Sequence, residues 1–167
     1  ENFIYIADQA HVPYGRRPLV EIRTLSEAIT RFLLSHDAKM IVIACNTASG
    51  AALNSLRRTF PSLPFVGMEP AVKPAAAQTK SGKVGVLATA GTFESQRYLS
   101  LMNRFAKDVE VFENPCSGLV ERIEDGQLDG EETAVILQNC VQPMLDAGVD
   151  TLVLGCTHYP FIQPLLE

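Results

Sequence analysis

The sequence contains no tryptophan, and none of its apolar runs approaches the ~20 residues that a membrane-crossing helix needs. Its four cysteines, at positions 45, 116, 140 and 156, form no CxxC pair. That spacing reads as free thiols in a reducing cytosol rather than as a disulfide framework. Basic residues form no cluster: Arg16-Arg17 and Arg57-Arg58 stand alone in a chain of net charge −5. A nucleic-acid partner is therefore not expected, and neither is a membrane. What remains is a cytoplasmic globular chain of 167 residues, enough to bury a core in one domain or two small ones.

Two stretches stand out against this ordinary background. "MIVIACNTASG" (40–50) and "TLVLGCTHYP" (151–160) each run apolar, reach a cysteine and turn abruptly polar. Five runs read as buried strands: 3–8, 40–45, 64–68, 83–89 and 151–156. A sixth, "VEVFEN" (109–114), alternates and reads as an edge strand. Short continuous Val/Ile/Leu runs suit a parallel sheet covered on both faces. Helical spacing covers 19–36, with Leu19, Ile22, Leu25, Ile29, Phe32 and Leu33 on one stripe. Further helices are predicted near 48–59, 70–79, 92–106, 117–125 and 131–147, and another start after Pro164. Strands alternating with helices define an α/β fold of βαβ units.

The two cysteine strands also align as an internal repeat. The strand ending at Asp8 lies 37 residues before Cys45, and the strand ending near Cys116 lies 40 before Cys156. The second half carries one strand more, with Val86 70 residues ahead of Cys156; the counterpart in the first half falls about 25 residues ahead of Glu1. The expectation is a fragment of two similar α/β domains, 1–80 and 81–167, joined at the small, polar "AAAQTKSGK" (75–83), with the first strand of domain one missing.

In open parallel sheets ligands bind beyond the carboxyl ends of the strands, where Cys45, Cys156, Asp8 and Thr89 all fall. Two similar domains facing one another put the two thiols on opposite walls of one cleft. Three chemistries fit: a disulfide, a metal site or an acid/base pair. A metal such as zinc wants four ligands, and only Cys156 and His158 are close in sequence. For the acid/base reading, each cysteine precedes a predicted helix start, whose unpaired N–H groups favour a thiolate. One thiolate takes a proton from a stereocentre while a thiol on the other face returns one.

Six segments carry a resemblance: "DQAHVPYG" (8–15), "ACNTAS" (44–49), "GMEPAVKPA" (67–75), "GVLATAGT" (85–92), "NPC" (114–116) and "LVLGCTHYPFIQPLLE" (152–167). On these the chain resembles the glutamate racemases of the aspartate/glutamate racemase superfamily. The resemblance implies an active site in the cleft between the two domains, and interconversion of L- and D-glutamate without a cofactor or metal, for peptidoglycan synthesis. It implies that Cys45 takes the α-proton of D-glutamate and Cys156 that of L-glutamate. Asp8, His158 and Glu124 match residues that assist the cysteines. Tyr14, Gly15, Asn46, Thr47, Thr157 and His158 match substrate-binding positions, to which Thr89 and Thr92 are added as helix-capping hydroxyls. The family also has a glycine-rich "DSGxGG"-type loop after its first strand, with an Asp-Ser pair on the Cys45 side, and closing C-terminal elements that return to the first domain; neither is expected in this sequence. Family members are often dimers in differing arrangements, so a homodimer is expected without a defined geometry.

The other residues have plainer readings. His11 reads as loop, His36 as a solvated helix end, and Cys116 and Cys140 as core. Competing functions are a racemase of aspartate or another amino acid, a related decarboxylase or isomerase, and a non-catalytic ligand-binding or thiol-sensing module.

Overall fold

The computed structural model describes residues 2–167. It contains two parallel sheets, as the pattern of short apolar runs separated by helices requires. In the first, β1 (Ile41–Ile43) pairs with β2 (Phe65–Gly67), Ile41 opposite Phe65. In the second, β3 (Lys83–Leu87) lies between β4 (Glu110–Asn114) and β5 (Thr151–Leu154). The helices are α1 (Leu19–Leu34), α2 (Asn46–Thr59), α3 (Val72–Gln78), α4 (Ala90–Phe93), α5 (Gln96–Phe105), α6 (Leu119–Glu124) and α7 (Glu131–Asp146). Short 3-10 turns span Tyr14–Arg16 and Tyr159–Leu165. Among the described residues no helix is long and apolar enough to cross a membrane.

The central strand β3 shows why the apolar runs are unbroken. Val84, Val86 and Leu87 are fully buried. Val84 and Val86 pack with Val72 and Ala75 of α3 and with Tyr98 and Leu101 of α5. Leu87 joins a second core with α6, α7 and Tyr159. Gly85 lets α7 approach, because a Cβ there would stand 2.7 Å from Met144 Sδ. Both faces are therefore covered, the usual condition of a parallel sheet. Helix α3, which precedes residue 80, packs on this second sheet. Its link to β3 is tied down by Asp150, whose carboxylate accepts from Thr79 Oγ1 at 2.6 Å and from the Lys80 and Ser81 N–H groups at 2.8 Å.

The first sheet is covered by α2, through Ala52, Leu53 and Leu56 against Ile41 and Phe65. Ala48 and Ala51 on α2 are small enough for Ile22 of α1 to close against them.

Three expectations are corrected. Residues 3–8 form no strand: Phe3 and Tyr5 are 89% and 86% exposed. No described strand lies beside them, and a strand without a partner leaves its backbone groups unpaired. The helix predicted over 92–106 is two, because Ser95 caps α5 by accepting the Tyr98 N–H at 3.1 Å. The stretch around Pro164 belongs to the 3-10 turn that begins at Tyr159, not to a new helix start.

Candidate active site

Cys45 and Cys156 each stand two residues beyond the last residue of a parallel strand, β1 and β5. Cys45 is the N-cap of α2, and its Sγ accepts the Ala48 N–H at 3.5 Å. The expected helix start thus exists at Cys45. Cys156 has only the 3-10 turn ahead of it, and it is 9% exposed, packed with Cys116, Cys140 and Tyr159. Burial pushes its thiol up to about 11, against the opposing pull of the His158 and Tyr159 N–H groups. The nearby Cys45 raises it further. The expectation of a helix-favoured thiolate fails here because burial outweighs the few N–H donors. All four cysteines are free thiols.

The raised value has a testable consequence. The folded chain holds the Cys156 proton more tightly than an ordinary thiol at 9.0 does. Its stabilising contribution is complete below pH 9 and is lost as pH rises through about 11, about 2–3 kcal/mol in all. Denaturant midpoints of the unmodified chain and of Cys156→Ala should converge over that window. Curves that stay parallel would contradict the buried-thiol assignment.

His158 joins Cys156 to a carboxylate. Its Nδ1 lies 3.7 Å from Cys156 Sγ, and its Nε2 makes a very short contact with Glu124 Oε1 at the end of α6. With Nε2–H donating to Glu124, Nδ1 is left as an acceptor for the Cys156 S–H.

On the other side, a trough of about 280 Å³ opens along the unpaired edge of β1. Asp8, Tyr14, Cys45, Thr157 and His158 line it together. Tyr14 Oη donates to Asp8 Oδ2 at 2.6 Å, and His11 Nδ1 sits 2.7 Å from Asp8 Oδ1. Burial is the largest single influence on the Asp8 carboxyl and raises it, but the bonds from Tyr14 and His11 and the charges of His11 and Arg17 together outweigh it and hold the group below its usual value. Burial, followed by the Asp8 bond, pushes the Tyr14 phenol up. His11, read from sequence as loop, is thus an Asp8 partner; its spacing of three from Asp8 was the available signal.

The remaining candidates fall nearby in two groups. Thr47, Thr89 and Thr92 form a buried hydroxyl triad, with Thr47 Oγ1 2.7 Å from Thr89 Oγ1 and 3.2 Å from Thr92 Oγ1. Gly15 lies against it, since a Cβ there would stand 2.6 Å from Thr89 Cβ. Thr89 and Gly15 line a second cleft of about 50 Å³ with Cys116 and Ser117. Asn46 takes a different place: its Nδ2 donates to Gly155 O at 2.8 Å, so its side chain bridges the two cysteine strands.

Comparison with known proteins assigns the class. The description Asp/Glu/Hydantoin racemase matches residues 4–167, and the chain belongs to that family. Among curated relatives, the glutamate racemase of Pseudomonas aeruginosa is 56% identical over 99% of this chain and 63% of its own length. That of Roseiflexus is 54% identical over 100% of this chain and 61% of its own. The Escherichia coli glutamate racemase, solved with L-glutamate and the activator UDP-MurNAc-Ala, superposes with a TM-score of 0.83 at 35% identity, over 95% of this chain and 60% of that one. A Bacillus anthracis glutamate racemase isoform superposes at 0.84 and 32% identity, over 97% and 61%. The chain therefore spans less than two thirds of the length of these relatives.

Proposed function

We propose that this chain carries the two-thiol site of a cytoplasmic, cofactor-independent glutamate racemase that supplies D-glutamate for peptidoglycan. The observation that supports it best is the pairing of a helix-capping Cys45 with a Cys156 backed by His158 and Glu124, each at the end of a parallel strand. In this reading Cys156 removes the α-proton of L-glutamate, passing its own thiol proton to His158 Nδ1 first. Glu124 fixes the imidazole and offsets the charge it gains. Cys45 then donates its proton to the opposite face of Cα, and the roles reverse for D-glutamate. Asp8 acts through Tyr14, holding its phenol at the trough. The N–H groups at the start of α2, those of Asn46 and Thr47 among them, with Tyr14, Gly15, Thr157 and the Thr89–Thr92 hydroxyls, form the carboxylate cradle and stabilise the charge that develops at Cα.

Residues 1–80 and 81–167 are taken as the two lobes, with α3 crossing to pack on the second sheet, and the sheet order supports an additional strand in the first. In the second sheet β3 separates β4 from β5. The repeat equates residues 3–8 with β4 and β1 with β5, so a counterpart of β3 would run between them, in the apolar part of the trough lined by Tyr5, Ile6, Val42 and Ile43. Ile29 and Leu33 of α1 face that trough, as the helix's apolar stripe requires if a strand packs there.

Iodoacetamide tests the site. Alkylation should abolish racemisation, saturating glutamate should protect, and peptide mapping should find Cys45 modified ahead of the three buried thiols. Full activity after stoichiometric Cys45 modification would refute the mechanism.

A further inference from the structure

Two buried side-chain polar atoms among the described residues make no hydrogen bond within the protein: Asn46 Oδ1 and Arg97 Nε. One is an acceptor on α2, the other a donor on α5, and both side chains line the same small cavity. Its volume is about 10 Å³, the space of a single water. Glu69, Thr92 and Ser95 also line it and offer acceptors for a water's second hydrogen. The cavity is closed on one side by the approach of α2 at Gly50, where a Cβ would stand 2.7 Å from Ser95 Cβ.

We propose that this cavity holds one structural water, accepting from Arg97 Nε and donating to Asn46 Oδ1, and that Arg97 is thereby a positioning residue for the two cysteines. Both flanking contacts already run between the two sheets' surroundings. Arg97 Nη2 pairs with Glu69 Oε1 at 2.6 Å, beyond the end of β2. Asn46 Nδ2 donates to Gly155 O at 2.8 Å, beyond the end of β5. The water links these contacts into one chain: Glu69, Arg97, water, Asn46, Gly155. Asn46 follows Cys45 and Gly155 precedes Cys156, so the chain ends on the two residues that set the separation of the thiols. The water itself is independent of the proposed reaction; the positioning role rests on it.

The test separates the Nε donor from the charge of Arg97. Arg97→Lys keeps a cation for Glu69 but places carbon where Nε–H stood, whereas Arg97→Met removes both. High-resolution crystal structures of the unmodified protein should show one water within about 3 Å of both atoms, absent or displaced in either variant. A dry cavity, or Asn46 Oδ1 bonded directly to Arg97 Nε, would overturn the water. In glutamate racemisation by the full polypeptide, Arg97→Lys should lower kcat about tenfold with KM changed less than twofold, because a displaced thiol harms the reacting geometry more than binding. Unchanged kcat in Arg97→Lys would overturn the positioning role. If the unmodified protein turns over no glutamate, the failure belongs to the racemase reading, and the crystallographic result still decides the water.

Discussion

Racemisation of glutamate falls by about 10²–10⁴-fold in Cys45→Ala and in Cys156→Ala alike, the range that a positioned acid or base contributes. In the proposed mechanism each thiol serves one face of Cα, so neither can replace the other. L- and D-glutamate have equal free energy, so kcat/KM must drop equally in the two directions whichever cysteine is removed. The asymmetry appears elsewhere. Cys45→Ala retains the Cys156–His158–Glu124 relay, and should still wash solvent hydrogen into L-glutamate without inverting it. Cys156→Ala should do the same for D-glutamate alone. A non-catalytic binding module would instead keep its glutamate affinity in Cys45→Ala and show no exchange in any form.

The second large effect is expected at the relay. Cys156 is mostly a thiol at neutral pH, since burial holds it near 11. It becomes a base only by giving up that proton, and His158 Nδ1 at 3.7 Å is the acceptor placed to receive it. His158→Ala should therefore lower kcat about 100-fold while leaving KM within a few-fold. Glu124→Gln is the more informative change. A carboxylate can only accept from Nε2–H, whereas an amide can also donate to Nε2, which moves the ring proton to Nδ1. His158 then presents a donor to Cys156 and cannot take its proton. Activity should fall by about tenfold or more, and Glu124→Asp should restore part of it. Equal activity in Glu124→Gln and the unmodified protein would show that the imidazole works without its carboxylate.

Much of this arrangement was legible in the sequence, and the exceptions have physical causes. The strands at 41–43, 65–67, 83–87, 110–114 and 151–154 sit inside their predicted runs. The continuous run of β3 fits a sheet covered on both faces, 110–114 alternates as an edge strand does, and the first sheet leaves Val42 and Val66 exposed on the face away from α2. Residues 3–8 had the same composition and failed, since strand formation depends on a neighbour that local sequence does not describe. The polar escort after Cys45 and Cys156 marked both ends of the site. His158 and Glu124, 34 residues apart in the chain, meet through the packing of α6 near the 159–165 turn. Spacing alone does not carry that contact; the resemblance named both residues as assisting the cysteines, but not that they meet. The thiol environment of Cys156 was hidden for a similar reason. Burial by Cys116, Cys140 and Tyr159 is a property of tertiary packing, and it outweighs the local N–H donors that the sequence suggested. Asn46 illustrates the opposite case. Its place beside Cys45 suggested substrate contact, while the fold turns its amide toward Gly155.

The most direct measurement is proton–deuterium exchange at Cα of L-glutamate in D₂O, followed together with D-glutamate formation. It is made on the 167-residue chain and on the polypeptide extended upstream by about 25–30 residues, the distance the internal repeat assigns to β3's counterpart. The account predicts exchange coupled to inversion in the extended form, inversion lost when either cysteine is replaced by alanine, and exchange into L-glutamate kept in Cys45→Ala but lost in Cys156→Ala. Inversion that persists at full rate in Cys156→Ala, or no exchange in either form with glutamate or aspartate, would contradict it.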